Sequence, residues 1–156
     1  MIKLIRVDHR LLHGQVIFSW SKFASIERII VIDTATANDD FKKMSLKLAK
    51  PEDIKLNVFS VDAAIAKMEQ IKALKDNVML IFAQVSELAK FIESYGYVDE
   101  INYGGIPDRP NAKRYSNAVF LTPEEVDLTK KMCDQGIDIV MQQVPSSGKE
   151  FLNKIL

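Results

Sequence analysis

Ile2-Lys3-Leu4-Ile5-Arg6-Val7-Asp8-His9-Arg10-Leu11-Leu12-His13-Gly14-Gln15-Val16 begins as an apolar, β-branched run and leads into a segment whose apolar positions Val16, Trp20 and Phe23 recur at helical spacing. The stretch predicts a strand over 2–7, then a loop, then a helix. In an open α/β sheet such a loop lies outside the carboxyl end of its strand, where ligands bind. The helix that follows aims unpaired N–H groups and its positive dipole end into the same space. His13 is predicted at the mouth of that helix.

The alternation continues outward along the chain. Ile29-Ile30-Val31-Ile32 reads as a buried strand ending at Asp33, where an Asx turn is expected; 34–39 reads as a loop. A helix over 40–50 is capped by Asn38 or Asp39, carries Phe41, Met44 and Leu48 on one face and stops at Pro51. A strand over 54–59 is followed by a helix over 63–73, capped by Ser60 or Asp62, with Ile65 and Met68 as apolar contacts. Val78-Met79-Leu80-Ile81-Phe82 is the most hydrophobic run and belongs at the centre of the sheet; a helix from about Ser86 to Tyr95 follows, with Ser86-Glu87 as its cap signal.

A strand over 98–103 ends in Gly104-Gly105, where glycine suits either a tight turn or close backbone approach. Residues 106–116 hold two prolines and Asp108, Arg109, Lys113 and Arg114, the pattern of an exposed, net positive loop. After a short strand over 118–121, Thr122-Pro123-Glu124-Glu125 starts a helix that ends at Gly136. The last strand, 137–144, stops at Pro145, and Ser147 caps a final helix over 148–155. Repeated βαβ units of this kind predict one α/β domain over 1–156, with a mostly parallel central sheet of about seven strands and helices on both faces.

Composition narrows the function classes. Of 156 residues, 21 are Lys or Arg and 21 are Asp or Glu, so a net charge of zero argues against a nucleic-acid binder and gives no pull towards anionic lipid. Cys133 is the only cysteine, which rules out a disulfide framework and a cysteine-rich metal site; with Met132 it is expected to pack inward from a helix. His9 and His13 stand four apart in a loop without an obvious third ligand, a weak metal signal. No Gly-x-Gly-x-x-Gly follows a strand and no Gly-Lys-Ser/Thr occurs, so no nucleotide site is supported. With no signal core and no apolar window approaching about 18 residues, a cytoplasmic protein is expected.

The loop carries the chemistry. A neutral imidazole beside N–H donors, a glycine and an arginine suits a transferred phosphoryl group: Arg10 can offer its planar guanidinium, Gly14 leaves the approach open, and the amides of Gly14, Gln15 and Val16 lie in the first helical turn. Asp8 is placed to orient Arg10 or the imidazole, or simply to cap the loop. On spacing alone a solvated histidine is the commoner outcome.

Arg6-Val7-Asp8-His9-Arg10-Leu11-Leu12-His13-Gly14-Gln15-Val16, with Trp20 after it, resembles the active-site signature of enzyme IIB of the mannose/fructose/sorbose family of the sugar phosphotransferase system (PTS). Asn102-Tyr103-Gly104-Gly105, the helix from Pro123 to Gly136 and Gln143-Val144-Pro145 resemble further parts of that pattern, so nearly the whole chain is covered. The resemblance implies that His13 accepts a phosphoryl group at Nδ1 from a phosphohistidine on the IIA protein and passes it to sugar delivered by the IIC and IID membrane subunits, with Arg10 and Asp8 as supporting catalytic residues. It implies a protein–phosphohistidine–sugar phosphotransferase without metal or cofactor, peripherally associated with its permease, with a homo-oligomer left open. His9 departs from the family's usual residue and is a rival acceptor; the 107–114 loop matches least, which leaves a contact from Arg109 open. Two other readings stand beside this one: a phosphatase with a histidine nucleophile, and a non-catalytic, flavodoxin-like anion-binding module.

Overall fold

Every second residue of a strand faces the same side, and in this sheet that rule sorts the apolar side chains into two cores. Ile30, Ile32, Val78, Leu80 and Phe82 belong to the larger, Ile29, Val31, Met79 and Ile81 to the smaller. A computed structural model describes residues 1–156. Its strands are β1 (Ile2–Asp8), β2 (Arg28–Ile32), β3 (Lys55–Phe59), β4 (Val78–Phe82), β5 (Glu100–Gly105), the short β6 (Lys113–Arg114) and β7 (Phe120–Leu121), β8 (Asp138–Met141) and β9 (Glu150–Phe151). The helices are α1 (Gly14–Phe23), α2 (Thr34–Ala37), α3 (Asp40–Ala49), α4 (Val61–Ala66), α5 (Met68–Ala73), α6 (Val85–Tyr95) and α7 (Pro123–Asp134), with a final 3₁₀ turn, Leu152–Lys154.

Seven strands form one sheet in the order β3-β2-β4-β1-β5-β8-β9, parallel except for β9 against β8. This is the predicted α/β architecture. The smaller core takes Ile17 and Trp20 from α1 and Leu46 from α3; the larger takes residues of α4, α5, α6 and α7, so helices cover both faces. β4, buried at all five positions, lies between β2 and β1, as its unbroken apolarity predicts. No helix is long and apolar enough to cross a membrane. Met132 is buried and Cys133 half-buried against the larger core.

Several local expectations are corrected. The segment after Asp33 is a helical turn, because the Asp33 carboxylate accepts from both the amide and the hydroxyl of Thr36. Asp39 caps α3 through Lys42 N as expected, yet only Leu46 of that helix is buried. At 3.6 residues per turn, Phe41, Met44 and Leu48 fall on the opposite side and face solvent. The predicted helix over 63–73 is two helices meeting at Lys67, the first capped by Ser60. α6 has no side-chain cap; Glu87 turns instead to Thr34, accepting from its amide at 2.9 Å and its hydroxyl at 3.1 Å. On α1 the inward residues are Ile17, Trp20 and Ser21, while Phe23 stays exposed, edge-on to Trp20.

Two longer segments also differ. The loop over 106–116 is not wholly exposed: Ile106 is buried and bridged to Val119, and Lys113 and Arg114 pair with β7. The predicted C-terminal helix is β9 and the 3₁₀ turn. Glu150 and Phe151 pair with Met141 and Val140, the Asn153 side chain bonds Ile137 O and Ile139 N, and Leu152 is fully buried. Covering the otherwise open edge of β8 outweighs the local helical preference.

Candidate functional site

The site grows from the carboxyl end of β1. Arg6 lies between the inward apolar residues Ile5 and Val7, and the strand's period of two turns it to the other face, where it is 1% exposed. Its guanidinium donates to Asn102 Oδ1, to the carbonyls of Gln142 (3.1 Å) and Gln143 (3.0 Å), and to Asp8 Oδ2 (3.1 Å), and it lies 5.4 Å from the Trp20 ring centre. Trp20 Nε1 donates to the same Gln143 carbonyl at 2.8 Å. Burial lowers the Arg6 pKa and the Asp8 charge opposes that.

Room for this guanidinium comes from Gly104. A β-carbon there would sit 2.0 Å from Arg6 Cζ, and one on Gly105 would sit 3.1 Å from Asp8 Oδ1. Neither glycine makes the tight turn considered from the sequence, since both lie within β5. Their absent side chains admit a charged cluster.

Asp8 is fully buried and saturated. Oδ1 accepts from the Arg10 amide (3.0 Å) and Nε (3.2 Å), and Oδ2 from Arg6 (3.1 Å) and Arg10 Nη2 (3.3 Å). Burial pushes its carboxyl up, but the Arg10 side-chain and backbone hydrogen bonds together with the charges of Arg6 and Arg10 outweigh it and hold it below the ordinary carboxylate range. One edge of the Arg10 guanidinium is therefore spent on Asp8, which leaves the Nη1 side for another anion.

The loop beyond Asp8 is anchored by alternate residues. Leu11 N donates to Asp8 O and His9 N to Gly105 O, both at 2.9 Å; Leu11 takes φ +58°, and Leu11 and Leu12 are buried in the smaller core. On either side of these leucines His9 and His13 are exposed. His13 is the extended N-cap residue of α1, but its side chain makes no capping bond. The imidazole is thus solvent-accessible at the helix mouth, and no acidic residue lies in the first turn. The amides of Gly14 and Gln15 have no partner within the chain, whereas Val16 N donates to His13 O at 3.1 Å. Val16 is therefore a correction to the predicted anion-binding set: the tight first turn closes on its own carbonyl.

Beside the loop, over the carboxyl ends of β2, β4, β1 and β5, opens a cavity of ≈ 610 Å³ whose polar lining includes His9, Arg10, Lys42, Arg109, Asp33 and Glu125. His13 stands outside that lining. Burial, with the charges of Arg10, His13 and Arg109, lowers the His9 pKa below 6.5, and Asp8 opposes them. Arg109 is pinned rather than solvated: it pairs with both carboxylate oxygens of Glu125 (2.8 and 3.1 Å) and donates to the carbonyls of Pro107 and Phe120 (3.0 Å each). No three His, Cys, Asp or Glu side chains gather closely enough to hold a metal ion.

Sequence reasoning missed Arg6 as a structural centre. The available signal was an arginine within an apolar strand, together with an asparagine followed two residues on by a Gly-Gly step in another strand.

The model of the PTS system sorbose subfamily IIB component matches residues 2–156. The chain belongs to this IIB family. It is 31% identical over 156 residues to the sorbose-specific EIIB component of Lacticaseibacillus casei, covering 99% of this chain and 95% of that protein. It is 29% identical over 149 residues to the mannose-specific EIIAB component of Escherichia coli K12, covering 96% of this chain but 46% of that longer protein. Among solved structures, the IIBSor domain of the sorbose permease from Klebsiella pneumoniae superposes with a TM-score of 0.92 at 28% identity, covering 99% of this chain and 94% of that one. This IIB component is accordingly a phosphotransferase-system protein, and its own β1–α1 loop carries His9 and His13 on either side of the buried Leu11 and Leu12.

Proposed function

We propose that this IIB component carries a phosphoryl group on His13, taking it from phosphorylated IIA and delivering it to a sugar held by the IIC and IID membrane subunits. The observation that carries the reading is an exposed imidazole at the start of α1, beside two unpaired amides and in the same loop as an arginine whose orientation a buried carboxylate dictates. In-line attack by the unprotonated Nδ1 of His13 makes one P–N bond as the donor's P–N bond breaks, its electron pair returning to the donor ring. Each imidazole keeps its single N–H, so no base is needed. The second transfer repeats the displacement with a sugar hydroxyl: the P–O bond forms as the P–Nδ1 bond breaks, the bonding pair returns to the His13 ring, and the hydroxyl proton passes to water.

Reversible carriage needs moderate holding. The Nη1 edge of Arg10 and the Gly14 and Gln15 amides offer charge-assisted bonds of about 1.5–3 kcal/mol each. Asp8 is useless as a base towards water, because all its accepting directions are taken by Arg6 and Arg10. That supports a carrier over a phosphatase.

The test is incubation with phosphorylated IIA followed by mass mapping of an acid-labile adduct in wild type, His13→Ala and His9→Ala. The adduct should persist in His9→Ala and vanish in His13→Ala; the reverse pattern would move the acceptor to His9. Steady release of inorganic phosphate without sugar would favour the phosphatase.

A further inference from the structure

The carrier reading brings a sugar hydroxyl to His13, and a seat for that sugar within this chain rests on the same reading. The cavity over the carboxyl ends of β2, β4, β1 and β5 measures ≈ 610 Å³, within the range of about 300–1,000 Å³ usual for small-molecule sites. His9 and Arg10 form part of its wall and belong to the loop that carries His13, whose charge is felt at the His9 ring. Phosphoryl exchange with IIA uses none of the rest of that wall.

The chemistry of the wall selects the occupant. Arg10, Lys42 and Arg109 are matched by Asp33, Glu125 and, behind Arg10, Asp8, so the lining is charged in its parts and neutral as a whole. An anion would find Arg109 already held by both oxygens of Glu125 and Arg10 held along one edge by Asp8. A neutral molecule rich in hydroxyls suits such a wall, because each hydroxyl both donates to a carboxylate and accepts from a cation or an amide. One oxygen calls for a donor. Asp33, part of the wall, is 5% exposed; its Oδ2 accepts from Thr36, and its Oδ1 has no hydrogen-bond partner. A carboxylate oxygen only accepts, and buried ones are nearly always paired, so a ligand hydroxyl at this wall supplies what the chain does not. Lys42 and Gln84 add an ammonium and an amide, both donors that further hydroxyls can meet, and Leu11, Leu46 and Ile106 give the C–H face of a ring an apolar surface.

We propose that this cavity seats the acceptor monosaccharide during the second transfer, gripping the ring through Asp33, Lys42 and Gln84 and leaving one hydroxyl at the rim, past His9 and Arg10, for the phosphoryl group on His13. His13 stands outside the lining, as a phosphoryl donor to a rim hydroxyl requires. No aromatic side chain stacks on the ring, so the hold is weak and the phosphorylated product leaves readily. At the efficiency usual for ligands, a hexose of about twelve non-hydrogen atoms binds with a Kd of about 1–10 mM.

The test is an NMR titration of the full, unphosphorylated chain with D-mannose, D-fructose, L-sorbose and N-acetyl-D-galactosamine, with glycerol and inorganic phosphate as controls. At least one sugar should move the amide signals of Ala35, Thr36 and Gln84 and saturate with a Kd of about 1–10 mM. Asp33→Asn keeps an acceptor for Thr36 but replaces one carboxylate oxygen by a donor, and should weaken binding about 10-fold. Because Asp33 also caps α2, a second variant leaves that cap alone: Ser45→Trp, at an exposed position of α3 in the wall, fills the space and should abolish the shifts with melting unchanged. The absence of saturable shifts with all the sugars overturns the sugar seat. So do equal shifts with glycerol, shifts with phosphate alone, or wild-type affinity in either variant. Labelling of His13 by phosphorylated IIA is measured on the same wild-type sample. Labelling without sugar binding overturns this proposal and leaves the carrier reading standing, whereas sugar binding without labelling overturns the carrier reading and the acceptor role with it.

Discussion

Gly104→Ala probes the buried centre of the site without touching a charged residue. The added methyl would lie 2.0 Å from Arg6 Cζ and 2.2 Å from both terminal nitrogens, so the guanidinium must leave its place. It would abandon Asn102 Oδ1 in β5, the two carbonyls after β8 and Asp8 at the end of β1. Breaking a buried ion pair costs about 3–5 kcal/mol, and because Asp8 keeps Arg10 the lower end, about 3 kcal/mol, is expected. Against a total stability of about 5–15 kcal/mol that is a large loss, and it lowers the melting temperature by about 6–12 °C in a chain of this size. Urea denaturation measures it, and a double-mutant cycle assigns it. In an Arg6→Met background the methyl meets a flexible apolar chain, so Gly104→Ala should cost less than about 0.5 kcal/mol there. Equal costs in the two backgrounds would refute the argument that this glycine exists to admit Arg6.

Further perturbations separate the neighbouring terms. The folded pKa of Asp8 lies below its ordinary 3.8, so its ionised form adds stability that is complete above that value and is lost as pH falls through the lower folded one; in acid titration Asp8→Asn should be less stable at neutral pH and lack this acid-side decline, and a matching decline would contradict the assignment. The His9 pKa is lowered, so the folded state resists its protonation and stability drops as pH falls from 6.5 through the folded value; NMR should place the His9 midpoint under 6.5, and His9→Gln should flatten that part of the stability profile. Tyr103→Phe removes the 2.8 Å bond between its hydroxyl and Thr129 Oγ1 but leaves the threonine bonded to Glu125 O, so denaturation should show a loss of about 1 kcal/mol, with a larger loss pointing to repacking of the core. Arg10→Ala leaves the fold intact and slows phosphoryl transfer in both directions; unaltered rates would remove Arg10 from the site.

What could be read in advance came from short-range rules. The unbroken apolar runs Ile29–Ile32 and Val78–Phe82 gave buried strands of a parallel sheet, and Thr122-Pro123-Glu124-Glu125 gave the start of α7, where the reciprocal bonds of Thr122 and Glu125 are present. Failures occurred where a distant partner decided the outcome. The 148–155 segment has helical spacing, but the open edge it covers belongs to β8, whose place in the sheet is set by its pairing with β5. Phe41, Met44 and Leu48 have the spacing of a buried face, and periodicity alone says that a face exists without saying which way it turns.

The sequence by itself determined that a strand delivers Asp8, His9, Arg10 and His13 to a loop at the mouth of a helix, because alternation and helical spacing are properties of the local backbone. Only the tertiary structure decided that Arg6 is the buried counter-charge of Asp8, that Gly104 makes room for it, and that Arg109 reaches the same cavity. Those contacts join β1, β5 and the segment after β8, and the parallel order of the sheet, rather than any local preference, sets them side by side.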